Sequence, residues 1–275
     1  TKKSTSKIKS FQPATRWQDA LPSGNGSLGA LVYGNIRDEI ITVNYEGLRE
    51  KKSKPKLNSV SQHLSKVREM MLNGNYQEGM EFFQEKVREN YLGDEDIDPY
   101  QPAFDLKIDM NTNSAFKDYS RDLNFETGEV KVKGKEENIQ YQRNLFVSRS
   151  HDAVILEIEG SEKNSVNCNL SLMPHDAEEV SGMGSGKTIE GKNIPFSFKR
   201  TAKNEWLSFN AQYDNGFEFG GVAKVIGEET KLKSENNTIK IKGNNRVLII
   251  LKVYLGEEHI KAEKRLKEEI NQIDK

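Results

Sequence analysis

From Tyr100 onward the chain alternates between apolar and polar positions. Phe104–Met110, Ile139–Val147, Ala153–Glu159, Ser165–Met173 and Trp206–Tyr213 show this, or run as β-rich stretches between turn residues, and so do Gly128–Lys133, Phe217–Ile226, Thr238–Lys242 and Arg246–Tyr254. A period of two puts one set of side chains on a buried face and the other in water, the mark of half-solvated antiparallel strands. Successive strands without long helices between them predict two packed antiparallel sheets, a mainly β fold built as one large β-sandwich.

Two stretches break the alternation with helical spacing. Val60, Leu64, Val67 and Met71 follow a capping Asn58 or Ser59 and stop at Asn73-Gly74, and Tyr76, Met80, Phe83 and Val87 form a second stripe. They predict a small helical hairpin inserted at about residues 57–90, its Met and Phe side chains packed inside. In Glu257–Lys275, Ala262, Leu266, Ile270 and Ile273 make a narrow apolar stripe on a heavily charged helix, a pattern that suits a linker helix resting on a neighbouring domain. Residues 1–10 are polar and read as a flexible leader, which leaves residues 11–256 for the sandwich.

Arg16–Leu48 holds the most specific pattern. Pro22, Gly24, Gly26 and Gly29 lie close together, so a tight turn is expected there. Leu28–Tyr33 and Glu39–Val43 then predict two strands, with Gly34-Asn35 and Arg37-Asp38 turning the chain between them and Trp17 anchoring the first turn.

The run W-x-x-A-L-P-x-G-N-G-x-x-G-A-x-V-x-G from Trp17 to Gly34 resembles the opening of glycoside hydrolase family 95, the α-L-fucosidase type. Ile40–Leu48, Val67–Gly74, Tyr100–Ile108, Tyr119–Phe125 and Tyr141–Ser150 are similar to segments of that family in the same order. There are departures. Where the family has Asn-Glu-x-x-Leu-Trp, this chain reads Asn44-Tyr45-Glu46-Gly47-Leu48-Arg49, and Ser23 and Ser27 replace a Leu and a basic residue.

The resemblance implies the N-terminal supersandwich of an exported, polysaccharide-degrading enzyme, followed there by a helical linker and an (α/α)6 barrel. Glycoside hydrolysis needs an acid and a base or nucleophile across the bond. In the family those groups belong to the barrel, so no catalytic residue is carried onto this chain. The expected role is non-catalytic, supporting the barrel and shaping its carbohydrate site, with a stand-alone carbohydrate-binding β-sandwich module as the alternative. Asn25, Asn44, Glu46 and Arg49 are the candidate polar contacts. Exposed aromatic rings stack on sugar faces, which makes Trp17 and Trp206 candidates together with Tyr91 and Tyr100, against the plainer reading that they pack in the core.

Composition narrows the remaining classes. Lys plus Arg number 41 against 42 Asp plus Glu, a net charge of −1, so bulk electrostatics give no reason to expect a nucleic-acid partner. The longest strongly apolar run, Val247–Leu251, is far too short to span a bilayer. Cys168 is the single cysteine and shares a strand face with Val166, Leu170 and Leu172, which predicts a buried structural thiol and rules out an internal disulfide. His63, His151, His175 and His259 lack metal-ligand spacing, and no metal or cofactor is expected. Asp94–Asp98 could offer oxygen ligands to Ca²⁺ but lacks the EF-hand pattern. Ser181–Thr188 looks like a phosphate loop with Ser at the first glycine position, yet Gly191 and Pro195 oppose the helix such a loop needs, so it reads as a Gly/Ser loop.

Overall fold

The computed structural model describes residues 6–49, 56–57, 59–92, 100–112, 115–175, 196–227 and 231–273. The chain forms two compact units, residues 1–48 with 100–275, and residues 49–99. In chain order the elements are β1 (Lys7–Ser10), β2 (Leu21–Gly24), β3 (Leu28–Val32), β4 (Asp38–Tyr45), β5 (Lys56–Leu57), α1 (Leu64–Leu72), α2 (Tyr76–Asn90) and β6 (Tyr91–Leu92). Then come β7 (Phe104–Met110), β8 (Lys117–Asn124), β9 (Val130–Glu136), β10 (Ile139–Ser148), β11 (Ala153–Gly160) and β12 (Val166–Met173). The remainder are β13 (Phe196–Lys203), β14 (Trp206–Tyr213), β15 (Glu218–Gly227), β16 (Lys231–Glu235), β17 (Thr238–Asn244), β18 (Arg246–Leu255) and α3 (His259–Ile273).

The larger unit is the expected sandwich. Among the described residues, one sheet has nine strands in the order β1-β8-β9-β10-β11-β18-β15-β14-β13, and the other has seven, β16-β17-β12-β7-β4-β3-β2. Every pairing within them is antiparallel. Alternation explains the layering. Phe104, Leu106, Ile108 and Met110 of β7 meet Leu145, Leu156 and Phe209 of the facing sheet in one continuous core, each large side chain contributing about 1.5–3 kcal/mol through burial. Phe104 and Phe209 rings lie 5.3 Å apart. Cys168 sits in this core as a free, fully buried thiol, and burial pushes its pKa up to about 12.

Several elements differ from the sequence expectation. Lys7–Ser10, read as part of a flexible leader, is the edge strand β1 paired with β8. Leu21–Gly24 is strand rather than turn; Pro22 fits there because β2 is an edge, where a missing N–H costs no ladder bond. β8, β13 and β16 were not expected either. Their lysines and other polar groups hide the alternation, and β13 and β16 are edge strands, where charge discourages pairing with other chains.

The apolar stripe of α3 also has a different partner. Ala262, Leu266 and Ile270 are buried against Ala153, Val222, Ile250 and Tyr254 on the outer face of the nine-stranded sheet. Ser208 donates to Glu263 at 3.0 Å, Lys224 to Asn271 at 2.8 Å, and Lys252 pairs with Glu269. The stripe is thus filled by this chain's own sheet, and its pattern no longer speaks for a neighbouring domain.

The smaller unit holds the α1–α2 hairpin and the β5–β6 pair. α1 closes at Asn73-Gly74, where Gly74 takes a φ of 84° and Asn75 N–H reaches the Met70 carbonyl at 2.9 Å. Tyr76 and Met80, expected inside, are exposed. The buried position of that turn of α2 is Gly79, which packs against Met70 and Met71 of α1. Asp94–Asp98 and Ser181–Thr188 lie outside the described residues.

Candidate functional site

The first turn of the seven-stranded sheet is built around Asn25. β2 and β3 pair from Leu21↔Val32 to Gly24↔Gly29, leaving Asn25 to Leu28 to reverse the chain. Gly26 takes a φ of 110°, a conformation open to glycine and strained for other residues. Asn25 Oδ1 accepts from the N–H groups of Ser27 at 3.0 Å and Leu28 at 2.8 Å, an Asx-type closure of the turn. Its Nδ2 donates to the Ser148 carbonyl at 3.1 Å and to Asp152 Oδ1 at 2.7 Å, both in the facing sheet's β10–β11 region. Ser23 adds a second tie across the sandwich, donating to the Gly128 carbonyl at 2.6 Å and accepting from Val147 N–H at 3.1 Å.

The end of β4 runs beside this turn. Glu46 N–H donates to the Ser27 carbonyl at 2.8 Å, which fixes Asn44–Glu46 against the turn. Tyr45 Oη lies 3.5 Å from Asp152 Oδ2. Burial, and next the Asp152 carboxylate, push the Tyr45 phenol above its usual range, so it stays protonated at neutral pH. Gln101 N–H donates to the Leu48 carbonyl at 3.3 Å and brings Tyr100 to the same place.

Together these segments form an open cleft of about 380 Å³, lined by Ser27, Asn44, Tyr45, Glu46, Tyr100 and Gln101 with the glycines of the turn. That volume is within the usual range for small-molecule sites. Tyr100, 51% exposed, is one of the lining residues. Amide, carboxylate and hydroxyl groups beside aromatic rings are the chemistry that holds polyhydroxylated ligands.

The model of the "Glycosyl hydrolase family 65, N-terminal domain" matches residues 8–254. The chain belongs to this family. The family 65 N-terminal domain described here is 25% identical over 221 residues to Alpha-L-fucosidase 2 of Arabidopsis thaliana, a match covering 78% of this chain and 26% of that protein. In structure it is similar to a chain described as "Putative kojibiose phosphorylase from human microbiome", with a TM-score of 0.56 and 8% identity over 98% of this chain and 35% of that one. At that identity the likeness speaks for the fold. The chain therefore spans well under half the length of either relative. The fucosidase-type resemblance of the sequence stands, under a family model that carries the number 65.

Within this family 65 domain the candidate residues divide. Asn44 and Glu46 line the cleft. Asn25 adjoins it but spends both donors and its acceptor inside the fold, so it shapes the turn. Arg49 opens the smaller unit, where Tyr91 also lies. Trp17 packs among Ala14, Ala20, Tyr33, Leu31 and Ile40. Trp206 packs beneath α3, with the Lys224 and Lys267 ammonium groups 5.7 and 5.4 Å from its ring centroid. Gln101 and Asp152 were not singled out from sequence, and Tyr45 was marked only as part of the segment Asn44–Arg49 expected to face the sugar site. Asp152 follows the family-like stretch Tyr141–Ser150 directly, but no local pattern reveals a contact to Asn25, 127 positions away.

His175 is a satisfied buried histidine, its Nδ1 2.9 Å from Asp105 Oδ1 with both side chains almost fully enclosed. Among the described residues no group of three or more His, Cys, Asp or Glu is arranged to hold a metal, and no helix is long and apolar enough to cross a membrane.

Proposed function

We propose that this domain is a non-catalytic, carbohydrate-facing part of a fucosidase-like glycoside hydrolase, in which it braces an (α/α)6 barrel and forms one rim of the sugar site. The cleft beside the Gly24–Gly29 turn carries this reading, because it gathers hydroxyl, amide and carboxylate groups and an exposed tyrosine ring at one end of the sandwich. The 25% identity to a protein named an α-L-fucosidase supports the sugar class. Export and a role in polysaccharide degradation are part of the same proposal, which the fucosidase-type resemblance motivates.

The test is an NMR titration of the chain with methyl α-L-fucopyranoside. Millimolar binding that shifts the amides of Ser27, Asn44, Glu46 and Gln101, and weakens in Asn44→Ala, is the expected result. Absence of any shift at those amides in 100 mM sugar would sink the reading. Hydrolysis of an aryl α-L-fucoside by this chain alone at an enzyme-like rate would overturn the non-catalytic assignment. The second reading, a stand-alone binding module on the same fold, rests on the cleft being lined by residues of a single compact unit. Micromolar binding of an oligosaccharide by this chain would favour it over the rim.

A further inference from the structure

Two residues beside the cleft, Asn25 and Tyr45, reach the same carboxylate of the opposite sheet. Asp152, in the turn between β10 and β11, holds a φ of 46°, uncommon for a residue with a side chain. One of its oxygens takes Asn25 Nδ2 at 2.7 Å and the other lies 3.5 Å from Tyr45 Oη. Asn25 closes the turn beside the cleft and Tyr45 lines the cleft from the adjoining end of β4, so Asp152 touches both segments.

Asn25 transmits the constraint because its amide has two unlike ends. The NH₂ end faces Asp152 and the Ser148 carbonyl, and the oxygen end faces the Ser27 and Leu28 N–H groups. Turning the amide over would set donors against donors on one side and acceptors against acceptors on the other. An acceptor oxygen at Asp152, beside the Ser148 carbonyl, therefore favours the orientation in which Asn25 Oδ1 points into the turn and holds its two amides. Loss of that acceptor weakens the bias and loosens the Ser27–Leu28 backbone that shapes the cleft.

We infer that Asp152 is a positioning residue for the cleft, acting through Asn25 on the Gly24–Gly29 turn and through Tyr45 on the adjoining end of β4. Its consequence for a ligand rests on the carbohydrate reading above, but its effect on the turn can be measured with no ligand present.

The experiment compares wild type, Asp152→Ala, Asp152→Asn and Asn25→Ala as the full chain, by amide hydrogen exchange and by titration with methyl α-L-fucopyranoside. Asp152→Ala should speed exchange at Ser27 and Leu28 by about tenfold, the equivalent of one charge-assisted hydrogen bond, while core amides in β7 and β12 keep their rates. Asn25→Ala should give the same local pattern. Asp152→Asn keeps an oxygen for Asn25 Nδ2 and should recover most of the protection. Sugar affinity should fall in the same order. Unchanged exchange at Ser27 and Leu28 in Asp152→Ala, or equal acceleration throughout the core, overturns the inference. If the two amides respond as expected but wild type binds no sugar, Asp152 still positions the turn and the carbohydrate reading falls.

Discussion

The two turns that bracket β3 are both held by side chains from the nine-stranded sheet, but with opposite chemistry. At the β3–β4 turn the grip is ionic and dry. Arg143 meets Glu39 at 2.6 Å with side chains 4% and 0% exposed, and it also donates to the carbonyls of Asn35 at 2.8 Å and Ile36 at 2.5 Å. Tyr119 donates to the Gly34 carbonyl at 2.8 Å, and Arg121 to that of Tyr33 at 3.3 Å. At the β2–β3 turn the grip is Asp152 on a neutral amide, part-buried, beside an open cleft. The same architectural problem has a buried solution at one turn and a half-open one at the turn beside the proposed ligand cleft.

The comparison is tested hardest at Arg143. Replacing it with Met leaves Glu39 and two turn carbonyls without their partner, and breaking a buried pair of this kind costs about 3–5 kcal/mol. Urea unfolding should show that loss; a change under 1 kcal/mol would mean that the buried grip is dispensable. Next in size is Gly34→Ala. Gly34 has a φ of 83°, and an added Cβ would stand 2.7 Å from Tyr119 Oη and 2.8 Å from Arg121 Cδ. Backbone strain and crowding together should cost about 3 kcal/mol. Gly26→Ala at the open turn meets nothing within 4 Å, so only its φ of 110° is penalised, at about 1 kcal/mol. Equal melting-temperature losses in the two alanine variants would erase the distinction between the turns.

The buried grip also carries a pH signature that sharpens the contrast. Withdrawal from water raises the Glu39 carboxyl from 4.5 to about 7, against the lowering effects of Arg143, of the Gly34 and Ile40 N–H groups and of Arg121. A carboxyl with a raised pKa binds more protons folded than unfolded, so its contribution is complete below pH 4.5 and is lost as the pH rises through about 7. Thermal unfolding between those values should therefore show wild type losing stability relative to Glu39→Gln, whose side chain mimics the protonated acid. A difference that does not vary with pH would place the charge elsewhere.

The core was legible in the sequence because period-two patterning survives wherever one face is buried, as Cys168 between Val166 and Leu170 shows. Strands with two wet or charged faces were not. β1 and β16 present Lys at alternate positions and look like loop until a pairing partner is known. The cleft was half legible: glycine spacing marked the turn, and Asn44 and Glu46 were named from the departure at the end of β4. Its supports were not, since Asn25–Asp152 and Glu39–Arg143 are contacts over more than a hundred positions that leave no local trace. Nor can composition separate a tryptophan that packs from one that displays its ring. Trp206 is spent beneath α3, whereas the less conspicuous Tyr100 faces the cleft.

The smallest stability effect is expected where the largest functional one should lie. Tyr100 is half exposed, and removal of an exposed ring away from the core changes stability by about 0.5 kcal/mol or less. A stacked ring contributes about 0.5–1.5 kcal/mol beyond its area, so Tyr100→Ala should weaken methyl α-L-fucopyranoside binding by roughly fivefold with almost no change in urea midpoint. Arg143→Met should do the reverse, lowering the midpoint sharply while native protein at low denaturant binds as wild type does. If instead Tyr100→Ala destabilises the fold and leaves binding intact, the ring belongs to the packing, and the open turn would be no more a ligand surface than the buried one.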